Sequence, residues 1–320
     1  MKFRFAIMGA GNIAAKFCQA VEILDHCEVV AVASKSKTRA EIFAEKFHID
    51  SAYDVYEDML KMEKVDCVYI ATTPDSHYLL TALSMENKIP VLCEKAMFMN
   101  SKDAKNILTF SRKKEIFFME AMWSRFLPAI KKGKEWLEEG KIGEANYLSI
   151  ATGFAFDRTK NQRNFDPVLG GGAAFDLTVY NYELATYYFG NAIKDTKILS
   201  LWEDGGVDLS NQICLLYDRK LASLSSSCIS MLDEKLIITG ELGRIEIPHP
   251  HYANEVRLYN KDENLILEYR DTETVNGFTY EINEVIHCIG AGMLESPVVP
   301  HELTLKCAEL FDEIYKQKPT

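Results

Sequence analysis

The chain has 320 residues, enough for two domains with sizeable cores, and at 48% hydrophobic and 26% charged it has an ordinary soluble globular composition. A net charge of −11 argues against a nucleic-acid partner, and no apolar run approaches the ~20 residues that span a bilayer. The eight cysteines include no CxxC pair and sit mostly in apolar stretches, so they read as reduced thiols; with no leader ahead of the first strand, the expected location is cytoplasmic.

Residues 3–8 (FRFAIM) read as a buried strand that runs into Gly9-Ala10-Gly11-Asn12-Ile13-Ala14 and then a helix. Ile13, Phe17, Val21 and Leu24 recur at helical spacing and give that helix one buried face. Gly9 permits a tight turn, Gly11 lets backbone approach a pyrophosphate, and Ala14 allows close packing of helix on strand. The helix N-terminus offers N–H groups and a partial positive charge to phosphates. Such a glycine pattern is weak alone and gains weight from its place between a strand and a helix.

Strands and helices then alternate. Strand 28–33 is followed by helix 38–47, with Thr38 as its N-cap, and by a short helix over 55–62. Strand 65–71, helix 76–87, strand 90–93, helix 101–114 and strand 116–119 complete the series. Nearly continuous apolar strands alternating with helices imply a parallel sheet covered on both faces, with its ligand beyond the carboxyl ends of the strands. The unusual residues cluster at those ends: Gly9 to Ile13, Ser34-Lys35, Thr72 to His77, Glu94-Lys95 and Glu120 to Arg125.

The end of the second strand discriminates between cofactors. An acidic residue there would accept hydrogen bonds from the ribose 2′-hydroxyl of NAD. This chain instead has Ser34-Lys35-Ser36 with Arg39 one helical turn on, groups that suit the 2′-phosphate of NADP, so NADP is expected over NAD. Thr72-Thr73-Pro74 makes a firm turn against which a nicotinamide ring can lie. His77 at the next helix start reads first as a packing or capping residue at the cofactor end. Lys95 at the end of a buried strand is unusual, because lysines rarely go inside unpaired; a bridge to Glu94 or a surface-seeking ammonium is the alternative to a functional role.

In the second half, residues 128–139 read as a linking helix, 140–143 as a turn and 144–156 as a long strand with alternating faces. The polar loop DRTKNQRNFDP leads into Gly170-Gly171-Gly172 and a helix over 173–189. That helix places Asp176 and Tyr180 at i and i+4, on one face and one turn apart. Seven strand-like segments follow between 194 and 269, with a hairpin at Leu242-Gly243, and predict an open, largely antiparallel sheet. One face packs on the helices, and the other is still partly apolar, so sheet-to-sheet homodimerisation is expected. Amphipathic helices over 280–289 and 302–316 return to the core. The fold class is therefore α/β: a Rossmann doubly wound parallel sheet over 1–121 and a substrate-binding, oligomerising α+β domain over 122–320.

The GAGNIA turn, the TTPDSH segment, Cys93-Glu94-Lys95-Ala96 and GGGAAFDLTVY together resemble the glucose–fructose oxidoreductase and inositol dehydrogenase family (Gfo/Idh/MocA). The resemblance runs along nearly the whole chain, to GFTYEINEVIHCIGAGMLESPVVP in the tail. Glu120-Ala121-Met122-Trp123-Ser124-Arg125-Phe126-Leu127-Pro128, with Asp176 and Tyr180, is similar to the branch of dimeric dihydrodiol dehydrogenases and NADP-dependent sugar dehydrogenases. Many family members carry Pro after the Glu-Lys pair and His where this chain has Tyr180. Ala96 removes the easy route to a cis peptide, and Tyr180 shifts the proposed acid from imidazole to phenol.

The resemblance implies hydride exchange between NADP and a secondary alcohol or hemiacetal carbon of a small sugar, polyol or cyclic diol. Lys95, Tyr180 and Asp176 are the expected catalytic residues. A phenol is too weak a base at neutral pH unless a nearby ammonium favours its phenolate, the role expected of Lys95. Asp176 orients Lys95 or binds a substrate hydroxyl, and Lys95 as the immediate proton donor remains the alternative. Trp123 and Arg125 are expected at the nicotinamide end, and Phe154, Arg158, Arg163 and Asn164 on the substrate side. Two other readings share the fold: an NADP-sensing regulator without catalysis, and a ketone or imine reductase.

Overall fold

The computed structural model describes residues 2–319. Its contacts divide the chain into two compact units: the residues up to Trp123 together with Asn276–Ala308, and Ser124–Val275 together with the residues from Glu309 on. In chain order the first stretch contributes β1 (Phe3–Met8), α1 (Asn12–Ile23), β2 (Cys27–Ala33), α2 (Lys37–Lys46), β3 (Ser51–Tyr53) and α3 (Tyr56–Met62). It continues with β4 (Cys67–Ile70), α4 (Pro74–Glu86), β5 (Val91–Glu94), α5 (Ser101–Lys114) and β6 (Phe118–Ala121). After a single 3-10 turn, Trp123–Phe126, come α6 (Pro128–Glu138), β7 (Ala145–Gly153) and a π-helical turn, Ala174–Thr178, that runs directly into α7 (Val179–Phe189). The strands β8 (Asp195–Trp202), β9 (Asp208–Leu216), β10 (Leu221–Ser227) and β11 (Lys235–Gly240) follow. The chain closes with β12 (Gly243–Pro248), β13 (Glu255–Asn260), β14 (Leu265–Arg270), α8 (Phe278–Gly290) and α9 (His301–Tyr315).

The first unit is built on a six-stranded sheet in the order β3-β2-β1-β4-β5-β6, parallel throughout. β4, β5 and β6 are buried at every position, which is why they read as unbroken apolar runs in the sequence. One face carries Phe5 against Phe17 of α1, and Phe17 in turn stacks on Tyr69 of β4 with centroids 3.9 Å apart. The opposite face packs Met8, Ile70, Val91 and Phe118 among Leu80, Ile107 and Leu108 of α4 and α5. Each such side chain, fully buried, contributes about 1.5–3 kcal/mol of transfer free energy. Strand order reverses at β1, between β2 and β4, and the crevice at such a switch point is where α/β sheets bind ligands.

Two local expectations change here. Edge strand β3 was not anticipated, because Ser51-Ala52-Tyr53 is too short and polar to show a strand period. Helix α2 starts one residue earlier than expected and is capped by Ser36, not Thr38: the Ser36 hydroxyl accepts the Arg39 N–H at 3.4 Å.

The second unit holds an eight-stranded sheet in the order β14-β13-β12-β11-β7-β10-β9-β8. Every neighbouring pair is antiparallel except β7–β10 at the centre, which runs parallel. Leu148, Ile150, Ile213, Leu224, Ile238 and Ile245 alternate onto the buried face, where α6 and α7 pack. The helix expected over 173–189 begins instead as a π turn, so the register around Asp176 is wider than the regular i, i+4 spacing assumes. All eight cysteines are free thiols.

Candidate functional site

In the first unit the turn after β1 is set by Gly9, whose φ of +109° suits a residue without Cβ; a Cβ there would stand 2.6 Å from the Ala71 carbonyl oxygen. Gly11 caps α1 without any side-chain hydrogen bond, and the position of its missing Cβ opens onto empty space. Gly11 and Asn12 are exposed and Ile13 is half-buried. An uncapped helix N-terminus beside a glycine that leaves open room fits a pyrophosphate. Ser34 is buried at the end of β2, and Lys35 and Arg39 are exposed beside it. Tyr56 joins them: the Lys35 backbone N–H meets its hydroxyl, and the Arg39 charge lies close. Lys37, by contrast, is bonded to the Ala52 carbonyl at 2.6 Å.

At the end of β4, Thr73 is the N-cap of α4 and Pro74 its first residue. Ser76 donates to the Thr73 carbonyl at 2.9 Å, and its hydroxyl oxygen lies 2.8 Å from the Thr72 hydroxyl, which fixes the turn. His77 is wholly buried, with Nε2 3.2 Å from the Thr72 carbonyl and Nδ1 3.0 Å from the Ala96 carbonyl. It therefore ties the end of β4 to the residue after Lys95. Glu120 Oε1 accepts the Met97 N–H at 2.9 Å, so the segment carrying Lys95 is held from both sides. The Lys95–Ala96 bond is cis without a proline, which corrects the expectation drawn from Ala96. Glu94 accepts the Tyr69 hydroxyl at 2.5 Å. Trp123, half-buried, lies with its ring 5.4 Å from Phe278 of α8.

Glu281 of α8 carries no signal in the sequence beyond a helical position. It is wholly buried, and neither carboxyl oxygen has a hydrogen-bond partner among the described residues. Burial pushes its carboxyl well up, and the nearby Glu94 charge adds to that shift.

The second unit assembles a different group. Asp176, in the π turn, accepts the Asn164 amide at 2.7 Å, and Arg163 Nη2 stands 3.9 Å away. Two of the loop residues expected on the substrate side, Arg163 and Asn164, thus meet on the carboxylate. The three glycines make this possible. Gly170 and Gly172 have φ of +74° and +106°, and a Cβ on Gly171 would stand 2.7 Å from the Arg163 carbonyl oxygen. Tyr180 follows in the first turn of α7, with its ring 5.6 Å from His251. His251 also meets Phe154 edge-on at 5.7 Å, and Phe154 stacks on Phe156. His251 was missed in the sequence because it sits in an irregular link between β12 and β13, where no period singles it out.

Arg158 and Arg125 each have protein partners of their own. Arg158 pairs with Glu203 at 2.8 Å and covers the Phe165 ring. Arg125 is buried against α7: Nε is 3.2 Å from Glu183 Oε2, and Nη2 donates to the Glu183 carbonyl and to Thr186 Oγ1. That guanidinium anchors the helix carrying Tyr180. Among the described residues no three metal-ligating side chains cluster, and no helix is long and apolar enough to cross a membrane.

Comparison with known proteins places these features. Residues 3–121 match the oxidoreductase family with an NAD-binding Rossmann fold, and residues 130–246 match the GFO/IDH/MocA C-terminal domain. The mouse trans-1,2-dihydrobenzene-1,2-diol dehydrogenase is 34% identical over 99% of this chain and 97% of its own length. The enzyme of that name from Xenopus tropicalis is 29% identical over 99% and 98%. Among solved structures, a 3-ketoreductase from Actinomadura kijaniata in complex with NADP and TDP-benzene shares the fold at a TM-score of 0.88 and 21% identity, covering 99% of this chain and 98% of the other. An aldose-aldose oxidoreductase from Caulobacter crescentus does so at 0.89 and 20%, covering 99% and 97%. The chain belongs to the GFO/IDH/MocA oxidoreductase family, with an NAD(P)-binding Rossmann unit followed by that family's C-terminal domain.

Proposed function

We propose that this protein is an NADP-dependent dehydrogenase or reductase acting at a CH–OH carbon of a trans-dihydrodiol, sugar or small polyol. The observation that carries the reading is the 34% identity over nearly the full length to a trans-dihydrodiol dehydrogenase, in a chain that has Lys95, Asp176 and Tyr180. Hydride transfer is the chemistry a bound nicotinamide supplies; the protein's part is to hold the carbon and move one proton. We assign Lys95, Tyr180 and Asp176 to that part. Lys95 sits on a backbone segment pinned by His77 and Glu120, so its ammonium leaves from a fixed point. Tyr180 is the proton donor and acceptor, a task a phenol fills only where its phenolate is favoured. Asp176, with Asn164 and Arg163, binds a substrate hydroxyl. Phe154 and His251 give the second unit an aromatic wall beside Tyr180, suited to a flat ring or the apolar face of a sugar.

Gly9, Gly11, Asn12 and Ile13 hold the pyrophosphate, and Thr72, Thr73, Pro74, Glu94 and Trp123 frame the nicotinamide end. Preference for NADP rests on Ser34, Lys35 and Arg39, with no acidic side chain at the end of β2. The protein acts as a homodimer paired through the exposed face of its eight-stranded sheet. The test is turnover of a panel of trans-dihydrodiols, aldoses and inositols with NADP and with NAD, read at the reduced-nicotinamide absorbance. A dihydrodiol or sugar oxidised with higher kcat/KM for NADP supports the reading. Higher kcat/KM with NAD removes the cofactor assignment, and turnover of ketones or imines alone removes the substrate class.

A further inference from the structure

We propose that Asp208 is a positioning residue for the reaction: from β9 it clasps the π turn that presents Asp176 and Tyr180. The inference rests on the role given above to those two residues, and it concerns a side chain about 30 residues further along the chain. Asp208 is wholly buried. Its Oδ2 accepts the Ala174 N–H at 2.7 Å, at the first residue of the π turn. The same oxygen accepts the Asn211 amide at 2.6 Å. Asn211 in turn donates to Thr178 Oγ1 at 3.2 Å, at the last residue of that turn, and Thr178 meets Ser226 of β10 at 2.6 Å. One carboxylate and one amide three residues apart on β9 therefore grip both ends of a five-residue turn, with Asp176 at its middle and Tyr180 two residues past its end.

The physical need for such a clasp is plain. A π turn is less stable than regular helix and persists where other contacts favour it. Its first N–H groups lack intrahelical partners, and a carboxylate placed there satisfies one of them and complements the helix dipole. The fit is close: a Cβ on Gly172 would stand 2.2 Å from Asp208 Oδ1, so the glycine run and the carboxylate are shaped to each other. The titratable groups facing Asp208 are Tyr315 of α9 and Cys228 after β10, both of which feel its charge, while Trp202 opposes it in the β8–β9 ladder. Among the described residues no cation acts on the carboxylate, which is held by the Ala174 N–H and the Asn211 amide, with its own backbone N–H close by.

The test uses full-length protein with 3-fluorotyrosine at position 180, so that a fluorine resonance reports the Tyr180 setting independently of activity. Asp208→Ala is expected to shift or broaden that resonance and to lower kcat about 10- to 100-fold, the scale of a small misplacement of a reacting group, with NADPH affinity by fluorescence within about twofold of wild type. Asp208→Asn keeps an acceptor oxygen for both donors and is expected to restore the resonance and most of kcat. If Asp208→Ala does not accumulate as folded protein, Asn211→Ala, which removes the bond to Thr178 and one of the bonds to Asp208 but leaves the Ala174 bond, is expected to shift the resonance in the same direction. An unshifted resonance in the truncated variant overturns the proposal, whatever the activity does. A shifted resonance with unchanged kcat leaves the clasp standing and counts instead against Tyr180 as the proton-transfer group.

Discussion

The two units hold their chemical groups by different means. In the first, Lys95, Thr72 and Thr73 stand on strand ends and turns whose course is fixed by backbone: a glycine at positive φ, a proline opening a helix, and carbonyl and N–H groups tied by His77 and Glu120. In the second, Asp176 and Tyr180 ride on one helical segment gripped by side chains from the sheet below it, namely Asp208, Asn211 and Ser226. A site on strand ends follows the course of the sheet, with side chains such as His77 and Glu120 tying its turns. A site set by buried polar side chains inherits their titration.

That contrast is sharpest in its pH dependence. Burial raises the Asp208 carboxyl from 3.8 to about 7, and the bonds from Asn211 and Ala174 offset only part of the shift. Below about pH 4 the group is protonated in folded and unfolded chain alike. Between about 4 and 7 the unfolded chain releases the proton that the folded chain keeps, so folding stability falls as pH rises through that window, by up to about 4 kcal/mol. Asp208→Asn has no such proton. Opening free energies of α7 amides, from hydrogen exchange at pH 4.5, 6 and 7.5, are expected to rise in the Asn variant relative to wild type as pH increases. A difference between the two proteins that stays constant with pH would show that this carboxyl does not titrate there, and the contrast between the units would lose its electrostatic basis.

The next effect tests whether the differently held groups serve one reaction. Lys95→Met and Tyr180→Phe are each expected to lower kcat at least ~100-fold, about 2.7 kcal/mol of transition-state stabilisation, with NADPH binding largely kept. Near-normal turnover in both variants would remove the proton-handling roles from both units. A loss confined to Lys95→Met would make Lys95 the immediate donor and leave Tyr180 with an aromatic packing role beside His251.

What could be read from the sequence divides along the same line. The parallel sheet, the glycine turn after β1 and the strand-end position of Lys95 are local, because a strand buried on both faces shows as an unbroken apolar run and its ligand edge follows from chain direction. The Asp176 and Tyr180 pair was visible as two polar groups in an apolar helix. Its π turn was not, because the turn exists through bonds to Asp208 and Asn211, which no helical period encodes. The same holds for Arg125. Its place after a strand end suggested a cofactor contact, whereas its guanidinium lies with Glu183 and Thr186, about 60 residues away in sequence. The parallel β7–β10 pair inside an otherwise antiparallel sheet escaped for a related reason, since strand period carries no information on which neighbour a strand will take.

The smallest expected effect on the folded chain concerns the outer face of the large sheet, which has no counterpart in the doubly covered first sheet. Leu199 and Leu201 of β8 are 73% and 55% exposed. Beside them Gln212 and Ser225, with Ser223, form a flat hydrogen-bonded ladder. At the far end Arg257 and Arg270 pair with Glu255 and Glu268. Apolar residues at one end, small bonded polar groups in the middle and paired charges beyond them suit a twofold partner, in which the same patch meets itself. Leu199→Glu and Leu201→Glu remove exposed apolar area and disturb no core contact, so each is expected to change the stability of the single chain by no more than about 0.5 kcal/mol. In a twofold pair the added carboxylates are repeated on both copies and are driven out of water together, so sedimentation is expected to move the double variant from dimer to monomer at micromolar concentration. A wild-type chain that sediments as a monomer, or a double variant that stays dimeric, would show that the second sheet leaves this face to solvent or pairs by another surface.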